Sequence, residues 1–453
     1  MSEIDKLRNE MDETTLEIIK LLKKRVDISK QIGGVKSNLG IGITDERRES
    51  RLRTKVLELC KEIGLDESIA IRSLNFLFNE SVKIQSSNKQ THLSVFLKAK
   101  DLERQGKKII HMEVGEPDFL PPNIVKSALE EVYEKGFGKY GEAKGMPAFR
   151  KALSKKISEQ YITDINDENI LVSTGARFSV YLAITTLLDP GNEIIIIEPS
   201  WPAYRDCALN AGIKPRIIHS TLEGRWEPSI DEVADKINAN TKMIVLNYPN
   251  NPTGKILPEN IQDEMVELAI KNNLYVLSDE IYSKYAYKNW KSALAYNYKK
   301  TIVTKSFSKS HAMTGYRIGY SISSPQIIDR MARLQAICMT NVSEPIQYVA
   351  MKALEADVAN NTNTMKKKLS LVIRQAKEIG LEFIEPDGAM YIFAKVKGNG
   401  TEFTNKLLDK GIAVAPGESF GNYKDFVRIS ACQTEKNLIE GMKIIERILS
   451  ENK

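Results

Sequence analysis

The sequence predicts two architectures in series: an all-α segment of three helices, then a larger α/β region built on a mostly parallel sheet. Three observations carry this. All 16 prolines lie at Pro117 or later, so the first 116 residues contain no obligate helix breaker. Residues 1–85 also lack Trp and Tyr and are rich in Leu, Ile, Lys, Glu and Arg, a composition that favours helix. Beyond residue 92, short runs that are apolar at nearly every position alternate with helical patterns, as in strands buried on both faces.

The elements follow in order. Ile4, Leu7, Met11, Ile18, Leu21 and Leu22 recur at helical spacing, and the pattern continues towards Lys36. "NLGIGI" breaks it. A second helix starts after Thr44, read as its cap, with Asp45 and Glu46 in the first turn, where acidic residues favour the helix dipole. "EIGLDES" separates a third helix, from about Glu67 to Gln85. The polar stretch "SSNKQTH", Ser86 to His92, reads as a linker. After it come the strand candidates "NILVSTG", "NEIIIIEPSW", "KMIVLNYPNNPTG", "LYVLSDEIY" and "TIVTKSFSK". Each ends in a polar or Gly/Pro-rich stretch. Open α/β sheets bind ligands at the carboxyl ends of their strands, so the site is expected in those stretches.

Bulk properties narrow the function classes. At 453 residues the chain exceeds one compact core. The net charge of +6 is small for this length and forms no basic block, which argues against nucleic acid and membrane surfaces as partners. Residues 1–88 hold 16 Lys/Arg against 15 Asp/Glu, so the helical segment has no charge excess either. Cys60, Cys207, Cys338 and Cys432 show no paired spacing, so neither a disulfide framework nor a metal site is expected. The start "MSEIDKLRNE" lacks the apolar core of a secretory signal, and no apolar run reaches 18 residues; a cytoplasmic protein is expected.

The motifs of the second region are individually weak and collectively specific. "GEPDF", "KYG", "STGA", "PSWPAY", "YPNNPTG", "SDEIY", "SFSKSHAMTGYRIGY" and "FVRIS", in this order, resemble the class I pyridoxal-phosphate (PLP) aminotransferases of the aspartate, aromatic and prephenate branch. The resemblance implies a PLP-transferase fold over residues 89–453. Its large domain would span about 121–345, and its smaller α+β domain about 91–120 plus 346–453.

It also implies roles. Lys309 is the lysine that binds the cofactor covalently and moves the substrate proton; lysine needs a lowered pKa for that work. Asp279 faces the pyridine nitrogen, Tyr282 and Asn251 the phenolic oxygen, and Trp201 stacks on the ring. The phosphate falls to the Gly175, Ala176 and Arg177 backbone at a helix start, to Ser306, to Arg317 and to Tyr140 of a neighbouring subunit, which implies a homodimer. Arg428 grips the substrate α-carboxylate, a two-pronged task suited to arginine, and Gly115 gives that carboxylate close backbone approach. Arg177 stands where many relatives carry a lysine that contacts a distal carboxylate. "THLSVFLKAKDLERQG" lacks the Arg and Thr arrangement associated with prephenate-specific members, so prephenate, aromatic 2-oxo acids and oxaloacetate all stay open as acceptors.

The first region has its own resemblance. "LRNEMD", the spacing from "KKR" to "GGVK", "DERRE" and "ESVKIQ" are similar to the all-helical chorismate mutases, over about residues 3–85. This implies Arg8, Arg25 and Arg48 for the two carboxylates of chorismate, Lys36 and Gln85 for the ether oxygen, Glu49 for the hydroxyl, and Asp45 and Ser81 in support. At ~1.5 Å per residue, Arg8 and Lys36 stand roughly 42 Å apart on one straight helix, so Arg8 must serve a site completed by another chain. Chorismate rearrangement needs no nucleophile, only a compact conformer and stabilised charge on the breaking C–O bond.

The implied whole is a bifunctional enzyme of aromatic amino-acid synthesis, with Glu or Asp as amino donor. Two readings stand beside it: a non-catalytic helical module that binds chorismate or an effector, and lyase chemistry on the same PLP fold.

Overall fold

The computed structural model describes residues 2–39, 45–86, 91–161 and 164–451. The chain divides into two compact units, Met1–Lys89 and Gln90–Lys453.

In the first unit, α1 (Glu3–Leu39) runs unbroken through Gly33 and Gly34. It is followed by α2 (Glu46–Ile63) and α3 (Glu67–Ser86). The cap of α2 is Asp45, not Thr44, which lies outside the described residues. Asp45 has extended dihedrals and its carboxylate accepts from the Arg48 N–H at 3.0 Å, satisfying one orphan donor of the first turn. Gly64 closes α2 at φ 70°, a left-handed stop open to glycine without a Cβ penalty. Both α1 and α2 pack on α3. The interior is thin: among the described residues its buried apolar side chains are Cys60, Ala70 and Leu74, whereas Ile4, Leu7, Met11, Leu16, Ile18, Ile19 and Leu21 of α1 are more than half exposed.

The second unit opens with α4 (His92–Arg104), entered through a capping box of Thr91 and Ser94. Then come β1 (Ile110–His111), α5 (Ile124–Glu134), α6 (Pro147–Tyr161), β2 (Ile170–Ser173) and α7 (Ala176–Leu187). Six more strands complete the main sheet: β3 (Glu193–Glu198), β4 (Lys214–His219), β5 (Thr241–Leu246), β6 (Tyr275–Asp279), β7 (Thr301–Ser306) and β8 (Gly319–Ile322). The order is β2-β8-β7-β6-β5-β3-β4, parallel except for β8, which runs against both neighbours. Ile194 to Ile197 of β3 are all buried, each such side chain contributing about 1.5–3 kcal/mol. The apolar runs did not point to β4, a half-exposed edge strand, or to β8, four residues entered through a glycine.

A smaller antiparallel sheet follows: β9 (Glu382–Phe383), β10 (Tyr391–Lys395), β12 (Ala415–Pro416) and β13 (Phe426–Ser430), in the order β12-β13-β10-β9. β11 (Ile412–Ala413) pairs in parallel with β1.

Candidate active sites

Parallel strands deliver their following loops to one edge of a sheet. Here that edge receives Thr174–Gly175 after β2, Trp201 after β3, Asn247 and Asn251 after β5, Asp279 and Tyr282 at and after β6, and Lys309 after β7. Because β8 is antiparallel it starts at the same edge, which brings in Arg317 two residues before it. Apart from Thr174 and Gly175, these groups line a cleft of about 720 Å³, well within the range for small-molecule sites. Among the sequence candidates it is lined by Gly115, Ala176, Arg177, Trp201, Asn251, Asp279, Tyr282, Lys309, Arg317 and Arg428.

Lys309 sits at the centre. Its Nζ donates to the Gly115 carbonyl at 2.5 Å, and burial lowers its pKa to about 8, aided by Arg428 and Arg317. Asp279 is buried and its carboxylate accepts from Tyr204 Oη at 2.7 Å and Thr304 Oγ1 at 3.2 Å. Burial pushes its carboxyl up from the ordinary range, while these donors pull the other way. Tyr282 Oη lies 2.9 Å from Tyr391 Oη, and burial raises both phenols. Arg428, buried, donates to Asn251 Oδ1 at 2.7 Å and to the Glu113 carbonyl, and its guanidinium lies over the Tyr391 and Phe420 rings at 4.3 and 4.8 Å.

The residues fit an anionic, ring-bearing cofactor. Gly175, the N-cap of α7, has φ 84°, and a Cβ there would lie 2.9 Å from Arg317 Nη2, so glycine leaves the helix start and the arginine facing one space. Arg177 stacks on Trp201 at 4.8 Å, adding a second cation beside the helix start. Gly175 and Tyr140 do not line the cleft themselves, and Tyr140 is 88% exposed. Ser306 does not line it either. Its Oγ lies 2.9 Å from the Ile318 carbonyl and accepts from the Ser308 N–H at 3.0 Å, and it is Ser308 that faces the cleft.

Gly115 has a constraint that its motif did not reveal. A Cβ there would stand 1.7 Å from Tyr391 Oη. Gly115→Ala is therefore expected to push Tyr391 off Tyr282, to cost about 1–3 kcal/mol of stability and to lower transamination, read by thermal melts and by donor turnover.

The first unit holds a cavity of about 340 Å³ lined by Arg25, Lys36, Asp45, Arg48, Glu49, Ser81 and Gln85 together with Leu21, Lys24, Ile28, Ser29, Ile32, Leu52, Phe78 and Val82. Four cations, Lys24, Arg25, Lys36 and Arg48, thus share one small space. Burial and the Arg48 charge lower the Arg25 pKa, and burial lowers that of Lys36. Arg25 donates to Ser81 Oγ at 3.4 Å; Gln85 Nε2 donates to Ser29 Oγ at 3.2 Å, leaving its Oε1 buried and without a partner. Arg8, exposed and many turns back along α1, does not line this cavity.

Comparisons with known proteins agree in both regions. Residues 107–445 match the family model of aminotransferase class I and II, and residues 7–86 that of chorismate mutase type II. The chain is 34% identical over 357 residues to an aspartate aminotransferase of Thermotoga maritima, covering 78% of this chain and 94% of the relative. It is 30% identical over 377 residues to a probable aspartate/prephenate aminotransferase of Aquifex aeolicus, covering 79% and 95%. A crystal structure of aspartate aminotransferase from Thermotoga maritima superposes with a TM-score of 0.78 at 33% identity, covering 81% of this chain and 98% of that one.

Proposed function

We propose that this chain, which belongs to the class I and II aminotransferase family and carries a type II chorismate mutase domain ahead of it, makes prephenate in one unit and transaminates prephenate or an aromatic 2-oxo acid in the other. The family assignments make it an isomerase and a PLP-dependent transferase of aromatic amino-acid biosynthesis. The substrates are the finer reading. The observation that carries it is the convergence of seven chorismate-site candidates on one cavity ahead of an aminotransferase cleft, because a chorismate mutase product is a 2-oxo acid that the second chemistry can aminate.

In the first unit, Arg25 and Arg48 hold the two carboxylates, Glu49 orients the hydroxyl, and Lys36 with Gln85 faces the ether oxygen. Catalysis is then restraint of one conformer plus stabilisation of charge on the breaking bond. Asp45 and Ser81 hold Arg48 and Arg25 in place. Arg8 serves the site of a second copy, and the exposed apolar residues of α1 support a homodimer. Gln85 carries no proton to lose, so the rearrangement rate should be flat between about pH 6 and 8. A carboxylate in its place would titrate near 4.3. Activity should fall only at higher pH, as Lys36 loses its proton below the ordinary lysine range because of burial. A rate profile checks this; a steep loss across neutrality contradicts it.

In the second unit, PLP supplies an electron sink when bound. Asp279 would face its ring nitrogen, Tyr282 and Asn251 its phenolic oxygen, and Trp201 its face. Gly175, Ala176, Arg177, Ser308 and Arg317, with Tyr140 of a second copy, would surround its phosphate, Ser308 in place of Ser306 because it is the hydroxyl that faces the cleft. Arg428 fixes the substrate α-carboxylate, with Gly115 beside it. The Lys309 amine, lowered to about 8, carries the proton to and from the substrate carbon. Glutamate or aspartate is the donor.

Steady-state comparison of prephenate, phenylpyruvate, 4-hydroxyphenylpyruvate and oxaloacetate as acceptors tests the substrate reading. Prephenate or an aromatic acceptor should give the highest kcat/KM; preference for oxaloacetate by more than tenfold overturns it.

A further inference from the structure

One cluster beside the cleft is used by neither chemistry. His111, on β1, lies between two carboxylates: Nδ1 is 2.8 Å from Glu113 Oε1 and Nε2 is 3.0 Å from Glu103 Oε1. A carboxylate only accepts, and a neutral imidazole has only one N–H. Both contacts are made at once only if the triad holds one more proton than a neutral imidazole between two carboxylates. Burial is graded along it, with the side chains of Glu103, His111 and Glu113 at 33, 16 and 0% exposure.

The cluster joins two parts of the substrate side of the cleft. Glu103 belongs to α4, whose His92, Leu93 and Phe96 line the cleft, and the Phe96 ring lies 6.1 Å from that of His111. Glu113 itself lines the cleft, and its carbonyl accepts from Arg428 Nη2. Behind them, Ser430 N–H of β13, the strand of Arg428, donates to the Met112 carbonyl at 2.8 Å.

We propose that His111 is a positioning residue for transamination: its imidazolium pins the α4 wall to the strand that holds Arg428, and so sets the affinity for amino-acid substrates. The inference rests on Arg428 being the substrate-carboxylate arginine. The charged groups facing His111 are Glu103 from α4, itself paired with Lys100 at 2.8 Å, and Glu113 on its own segment. The paired strand β11 offers only Ile412 and Ala413, and β13 adds Arg428 through the Glu113 carbonyl. Hydrogen bonding to Glu113, then to Glu103, raises the His111 pKa above the ordinary value against the opposing effect of burial. The sign is therefore fixed: the pin is complete at low pH and is lost as pH rises through that raised value.

Measure KM and kcat of the PLP-loaded full chain for whichever of glutamate and aspartate it turns over faster, from about pH 6 to 9. In the wild type, KM should rise about tenfold, the equivalent of one charge-assisted hydrogen bond, with a smaller change in kcat. Glu103→Gln should hold KM low across the range, because an amide can donate to neutral His111 while Nδ1–H still reaches Glu113. His111→Leu should hold KM high at every pH. A purely structural role would lower the melting temperature without separating these profiles. Wild-type KM–pH behaviour in both variants, or in Glu103→Gln alone if His111→Leu does not fold, overturns the proposal. If instead Arg428→Lys leaves donor KM unchanged, it is the carboxylate reading that fails, and the choice of oxo acid does not enter.

Discussion

Lys309→Ala is expected to reduce transamination by at least about 10³-fold, within the range for removing a positioned acid–base group that also serves as a covalent anchor, while chorismate is still consumed at the wild-type rate. The size follows from position. The side chain is partly buried at the meeting point of the strand ends, its pKa is lowered to about 8, and among the described residues no other lysine lines the cleft. Lys305 is near in sequence but is held by Glu280 at 3.0 Å and Tyr161 at 2.7 Å, and lines a separate cavity. Rescue from that side is not expected. Donor turnover and the cofactor's visible absorbance check the first half; chorismate loss checks the second.

Arg48→Ala is expected to have the converse effect, lowering chorismate rearrangement by about 10²–10³-fold, as for loss of one preorganised charge-stabilising group, with transamination untouched. The variant should fold, since the bond that caps α2 runs from the Arg48 main-chain N–H to Asp45 and survives the substitution. What disappears is one of four cations in the cavity, and its loss should ease the downward pull on the Arg25 pKa. Chorismate bound without turnover by the wild type would instead make the helical unit a sensor.

The two regions were legible in the sequence to different depths. Lys309, Asp279, Asn251 and Arg317 lie in short motifs at the ends of apolar runs, and the parallel order of the sheet turns those ends into one edge. Seven of the eight chorismate candidates share a cavity because each helix contributes residues at helical spacing: Arg25 and Lys36, Asp45 to Glu49, and Ser81 with Gln85. Other groups gave no signal. Tyr391 lies on a strand of the smaller sheet, far from any motif, yet its hydroxyl dictates glycine at 115. "SFSK" holds both Ser306 and Ser308, and only strand-end geometry decides that the Ser308 hydroxyl is the one at the cleft. The apolar lining of the helical cavity, Ile28, Leu52 and Phe78 among it, is indistinguishable in sequence from ordinary core. His92 and Glu113 likewise enter the cleft only through tertiary packing, whereas Tyr204 lies inside "PSWPAY" and its bond to Asp279 is what the motif alone does not show.

Consecutive steps on one carbon skeleton are what the proposed function requires of this chain. The most direct measurement supplies the full-length protein with chorismate, PLP and ¹⁵N-labelled glutamate and aspartate at neutral pH and identifies products by mass. The expected product is a ¹⁵N-labelled amino acid on the chorismate-derived skeleton, arogenate or an aromatic amino acid formed from it, lost in both Lys309→Ala and Arg48→Ala. Label appearing only in aspartate, glutamate or alanine while chorismate or prephenate persists would contradict it.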